Sequence, residues 1–183
     1  MKSSRWHFIF CMLVFLGLGA CSNNIDAEKK QWEGTQKVYT ELNARWPLLK
    51  ASFTQRMEQA TAMMEQAKSL SEEQARADAM AAANDFAGEL FNQVFALGNR
   101  IDEISSFQGR LNKMALDRSW RKKRDKLMKE INQSMDQVQK EFSEFKSDKA
   151  DEIIAKSKEL IKELIDVRGR LKRFETAARN SRK

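Results

Sequence analysis

The sequence predicts an all-α fold, an elongated up-down bundle of three or four long helices with coiled-coil-like packing, and three observations predict it. Past the first twenty residues, apolar side chains recur at alternating steps of three and four, the spacing that lines one face of a helix. The 183 residues contain one proline and seven glycines, too few to punctuate many turns. No stretch alternates apolar and polar residues as a half-buried strand must. A chain of this length has room for one domain, and an amphipathic helix cannot bury its own stripe, so the helices must cover one another.

The first twenty residues belong to a different physical class. Lys2 and Arg5 precede a nearly unbroken apolar run at residues 8–18, followed by the small residues Gly19 and Ala20. This is the charged, apolar, small-residue order of an export signal, and about 11 apolar residues are too few to cross a bilayer. Residues 1–20 are expected to be removed, residues 21–30 to form a polar tether and residues 31–183 to fold. The exit Leu18-Gly19-Ala20-Cys21 resembles the lipobox of bacterial lipoproteins, a branched or Leu residue and two small ones before a cysteine. That resemblance implies cleavage ahead of Cys21, a diacylglycerol on its thiol and acylation of the freed amino group with a chain such as palmitate. One acyl chain holds a protein on a bilayer only marginally, whereas two or more hold it stably. Ser22, standing where an Asp would retain such a protein, further implies the periplasmic face of the outer membrane. The plainer reading of Cys21 is an ordinary cleavage boundary with an incidental cysteine. Cys11, inside the apolar run, reads as a small hydrophobe.

The first stripe runs from Trp32 through Tyr39, Leu42, Trp46, Leu49, Phe53 and Ala60 to Leu70, broken only by Thr35 and Arg56. Pro47 lies inside it, where it removes a backbone donor and disfavours helical geometry at Trp46, so a kink or short break is expected with the same face buried on both sides. Ser71-Glu72-Glu73-Gln74 fits a capping box and predicts a new helix. Its stripe passes through Met80, Ala87, Leu90, Val94, Leu97 and Ile101 to Ala115, with a turn expected at residues 117–119. A third stripe from Met128 to Phe145 loses phase at residues 146–149 before a fourth runs from Ala150 and Ile153 to Ala178. That slip fits either a tight antiparallel turn or an irregularity in one long helix.

Two groups of side chains lie off these stripes. Phe91 and Phe95, four apart, sit well round the helix from Leu90: either a bundle covers this flank or an exposed aromatic pair docks a partner helix. Ile154, Ile161 and Ile165 widen the fourth stripe and favour a bundle. The net charge of +7 falls to +5 without Lys2 and Arg5, and it is unevenly spread. Residues 22–108 carry 9 basic and 13 acidic side chains, residues 109–183 carry 22 and 13. At 100° per residue, Arg118, Arg121, Lys122, Lys126 and Lys129 share an arc of about 140° opposite Leu127 and Ile131. They read either as a solvated face or as a contact for lipid headgroups, cell-wall polymers or an acidic protein. Nucleic acid is set aside because an exported chain does not meet it. Asp136/Lys140, Glu152/Lys156 and Asp166/Arg170 have the spacing of supporting i,i+4 pairs.

Catalysis finds no footing. The one histidine, His7, and both cysteines fall within the first 21 residues, which leaves no His/Cys metal site, no disulfide and no Ser-His dyad downstream. Acidic doublets such as Glu72/Glu73, Asp102/Glu103 and Asp151/Glu152 point about 100° apart on a helix and do not converge on one atom. There is no phosphate loop, nucleophile elbow or other cofactor motif, so no catalytic, metal or cofactor residue is assigned.

Trp32 and the segment Asn43-Ala44-Arg45-Trp46-Pro47-Leu48-Leu49 resemble the LemA family, where a tryptophan-bearing helix leads into an arginine and a Pro-Asn-Leu-Val junction. The resemblance covers about 40 residues and implies a long helical bundle behind an N-terminal membrane anchor, with no established enzymatic activity. Leu48 stands in place of that family's Asn, and a later Tyr-Pro motif has no counterpart, since the only tyrosine is Tyr39 and the only proline Pro47. The expected function is binding by a bundle anchored to the membrane through lipid on Cys21, as adaptor, envelope scaffold or inhibitor. Its partner would be an envelope protein or an anionic envelope polymer. The rivals are a homo-oligomeric coiled-coil spacer linking membrane to cell wall and an immunity or exclusion lipoprotein.

Overall fold

The computed structural model describes residues 24–181; the expected export segment with His7 and Cys11, the proposed lipidation site Cys21 and Ser22 lie outside them. Five helices follow one another: α1 (Ile25–Arg45), α2 (Lys50–Lys68), α3 (Glu73–Asn112), α4 (Arg118–Glu144) and α5 (Ala150–Asn180), with one 3-10 turn at Pro47–Leu49. No strand occurs among the described residues. The all-α bundle is as the heptad stripes predict, but four stripes become five helices because the first is cut in two.

The cut is at Pro47. Its ring excludes a helical Trp46, which takes φ −127° and ψ 68°, and a single 3-10 turn then reverses the chain. The Tyr39 hydroxyl lies 3.1 Å from Thr54 Oγ1, whereas in a continuous helix these residues would be about 22 Å apart. The expected kink is thus a full hairpin. The same stripe does stay buried on both sides, since Leu42, Trp46, Leu49, Phe53 and Ala60 are all core. Arg56, an interruption in the pattern, lays its guanidinium 3.4 Å over the Phe86 ring, donates to the Phe86 carbonyl and pairs with Glu89 at 2.9 Å.

The cross-helix contacts give the topology. Asn84 donates to the Glu28 carbonyl at 3.0 Å and carboxylate at 2.7 Å, and Arg45 pairs with Asp102 at 3.0 Å. Partners 56 and 57 positions apart at both sites make α1 and α3 parallel, with α2 antiparallel between them in sequence. Lys156 to Glu141, Arg170 to Glu130 and Trp120 to Phe174 make α5 antiparallel to α4. Gln108 to Asn132 and Arg124 to the Asn112 carbonyl do the same for α3 and α4. The chain runs up, down, up, down, up around α3, whose 40 residues span about 60 Å. Both hairpins lean on α3, and α5 runs along it through contacts such as Arg168 to Glu103. They meet at a belt of rings: Trp46 stands edge-on to Phe142 at 4.8 Å, and Phe91 meets Tyr39 at 5.9 Å and Phe53 at 6.1 Å.

Several expectations change. Phe91 is 1% exposed and Phe95 half-buried against the same core, so the pair is not a docking surface; the α1–α2 hairpin, invisible to a single-helix reading, covers that flank. Ile154 is buried, Ile161 half-buried, and Ile165 is 53% exposed. The expected tether is helical from Ile25, because the Asn24 side chain accepts the Asp26 amide at 2.9 Å and caps the helix. The capping box does not form. Glu72 rather than Ser71 is the cap residue, and Arg76 instead reaches back to the carbonyls of Leu70 and Ser71. The turn expected at residues 117–119 lies earlier, with Asp117 capping α4. The phase slip at 146–149 is an antiparallel turn. Among the described residues none of the three expected i,i+4 pairs forms: Lys156 turns to Glu141 and Glu159, Glu152 to Lys149, Arg170 to Glu130, and Asp166 lies 3.8 Å from Arg173. For the second and third pairs, a side chain on the facing helix or elsewhere on or beside the same helix is better placed.

Replacing Phe91 by Ala leaves a void in the aromatic belt and is expected to lower unfolding free energy by about 3–5 kcal/mol. Gly109→Ala, whose new methyl meets nothing within 4 Å, is expected to raise it by about 0.5–1 kcal/mol. Urea denaturation followed by circular dichroism reads both.

The hydrogen bond from Lys156, helped by Gln137, holds the Glu141 carboxyl below its ordinary range, and Glu141 holds Lys156 above the ordinary lysine range. A lowered carboxyl contributes stability above its unfolded pKa and loses it as pH falls through the folded one; the raised ammonium loses its share as pH rises through its own folded value. Glu141→Gln is therefore expected to melt below the parent chain at neutral pH and level with it in strong acid, as thermal denaturation across that range would record.

Candidate functional site

The candidate site is the first half of α4 and what the fold brings beside it. Asp117 accepts the Trp120 amide at 2.9 Å and fixes where α4 starts, hence which way every side chain on its first turns points. Trp120 turns inward, edge-on to Phe174 at 5.5 Å, and Met128 and Ile131 follow on the buried face. Arg118, Arg121, Lys122, Lys126 and Lys129 are consequently all exposed, on the opposite side. The arc read from the sequence is thus an outer surface.

Two other cations of the cluster are already engaged. Lys123 Nζ sits 4.5 Å from the Trp120 ring centre. Arg124 folds back, donating to the Asn112 carbonyl at 3.2 Å and to Asp125, and so holds the α3–α4 corner together. The five arc residues make no ion pair or hydrogen bond through their charged ends to another described residue.

The fold then adds charge that the helix alone does not carry. Arg110 and Lys113 arrive from the end of α3, and Lys172 and Arg173 from α5, which returns to the same end. Residues 110–130 and 168–181 together hold fourteen Lys/Arg against four Asp/Glu, net +10, while the other described residues sum to −7. The four acids do not neutralise the arc: Asp117 caps a helix, Asp125 pairs with Arg124, Glu130 with Arg170 and Glu175 with Arg179. One end of the rod is therefore strongly positive and the remainder negative.

Sequence reasoning found the five arc residues and the charge imbalance between the two halves. It missed the contributions of α3 and α5, for which the only signal was the clustering of Lys/Arg late in the chain. Phe91 lies in the core and Phe95 packs half-buried against it, so neither belongs to this site. Elsewhere, a shallow polar depression is lined by Ser52, Gln55, Arg56, Gln59, Asp148 and Ala150, but its one arginine is committed to Phe86 and Glu89. Among the described residues, no three His, Cys, Asp or Glu side chains are grouped to hold a metal ion, and no helix is long and apolar enough to cross a membrane.

Because the arc residues support no intramolecular partner, the triple reversal R121E/K122E/K126E is expected to leave helix content unchanged and the thermal midpoint within a few degrees of the parent, by circular dichroism. No protein family, curated protein or solved structure matches the chain.

Proposed function

We propose that this chain is a lipid-anchored extracytoplasmic helical bundle that works by binding rather than by catalysis. The observation that carries the binding role is the basic end, where five exposed cations have neighbouring acids that are all committed elsewhere. Unneutralised like charges are costly to gather on a compact protein, and a polyanionic partner offsets that cost. The anchor rests on the order of charged, apolar and small residues that ends in Leu18-Gly19-Ala20-Cys21, and on the lipobox it resembles. Its acyl chains would hold the bundle at an envelope membrane and leave the folded residues free for a partner in the same compartment.

The burial of the heptad positions supports a binding bundle over an oligomeric spacer. Leu90, Leu97, Ile104, Leu160 and Leu164 are each fully buried within the one chain. A coiled-coil spacer needs such positions free to face another copy.

Growth with a radiolabelled fatty acid tests the anchor. The native chain is expected to carry the label and partition into detergent, and Cys21→Ala to lose both; label retained on Cys21→Ala would refute it. Crosslinking in intact cells tests the binding role: a captured partner whose recovery falls with R121E/K122E/K126E supports it, and unchanged recovery removes the basic end from the interface.

A further inference from the structure

The start of α1 lies far along the rod from the basic end. Glu28 lies level with Asn84, so the start of α1 is about 45 Å along α3 from Asn112 and the basic end. We propose that the basic end is a membrane contact in its own right, docking by charge on a bilayer surface of anionic phospholipid headgroups. This deepens the binding role above by naming the partner's chemistry, and rests on that role but not on the lipid anchor.

The chemistry of the end favours a headgroup surface over other polyanions. None of the large exposed apolar side chains of the bundle, Leu48, Leu70 and Ile165, stands among residues 110–130 or 168–181, and Ile165 stands alone one turn before Arg168. The end therefore offers no apolar centre of the kind a stable protein interface requires, and no wedge for insertion among acyl chains. A single-stranded nucleic acid held without a specific pocket gains much of its affinity by stacking on free aromatic faces. Here the rings are taken: Trp120 packs on Phe174 beneath Lys123, and Phe107 lies buried beneath Arg110. The cations come from three helices, and the five of the arc follow one exposed face along the first half of α4. A fluid sheet of phosphates needs neither stacking nor a groove, because its headgroups move to meet each Lys or Arg, and each such contact strengthens binding roughly fivefold.

The test uses the chain from Ser22 onward, without the apolar leader or Cys21, carrying a biotin at its N-terminus and captured on a sensor, so that neither leader nor lipid contributes. Phosphatidylcholine vesicles, and vesicles in which roughly a third of that lipid is replaced by phosphatidylglycerol, are passed over it at physiological salt. Capture of the anionic vesicles alone is expected, with loss in high salt and at least about 100-fold weakening by R121E/K122E/K126E. Equal capture of both vesicle types, or undiminished capture by the variant, would overturn the proposal. So would binding of double-stranded DNA or polyglutamate without vesicle binding, or salt-sensitive self-association by light scattering, which would assign the end to the acidic remainder of a second copy. Detergent partition of the native chain reads the anchor separately, so either idea can fail while the other stands.

Discussion

A forty-residue helix with one apolar stripe cannot stay dry against any single shorter neighbour, and in this protein everything else is arranged to cover α3. The α1–α2 hairpin packs along it as far as Asp102 and the α4–α5 hairpin along its later part, with α5 extending along it. Where the two hairpins meet, small side chains would leave voids. The rings of Tyr39, Trp46, Phe53, Phe91 and Phe142 fill that joint with edge-on and tilted contacts at 4.8 to 6.1 Å. The hairpin reversal at Pro47 is what delivers three of those rings, so one missing backbone donor shapes the middle of the molecule.

Polar groups inside this packing are few and have defined tasks. Asn84, one residue from the predicted stripe, is buried and holds the backbone and side chain of Glu28, setting the register of α1 on α3. Arg45 does the same at the other end of α1 through Asp102, close enough to Gly98 that a methyl there would meet its guanidinium at 2.9 Å. The glycine makes room for the approach. For Lys156 and Arg170, ion pairs across helices form in place of the i,i+4 pairs that spacing alone favours, since long side chains on antiparallel neighbours reach one another without giving up exposure.

What was legible in the sequence was whatever depends on period and on local chemistry. Heptad spacing shows in the row of apolar residues whatever the helix packs on, so the all-α class and the buried face of each helix were readable from Leu42, Leu90, Ile131 and Leu160 alike. Asp117 was read as part of a turn, and it lies at one, as the cap of α4. Ser71 shows the limit of the same logic. Its capping box is a valid local option, but the helix starts one residue later and Arg76 takes over the turn, an outcome decided by a side chain on the far side of it. The flank at Phe91 and Phe95 was ambiguous for a similar reason: a face reads as exposed or covered only once its neighbours are known.

The candidate site divides along the same line. The arc of Arg118, Arg121, Lys122, Lys126 and Lys129 is a property of one helix and its 100° step, so the sequence by itself determined it, as it determined the overall charge and the helical class. The tertiary structure decided that Pro47 is a reversal and not a kink, that α5 comes back beside the start of α4, and that every acid at that end already has a cap or a cation to serve. Helical periodicity is local and survives in the order of residues, whereas the direction a chain takes after a turn, and the charges that then become neighbours, follow from which surfaces are buried together.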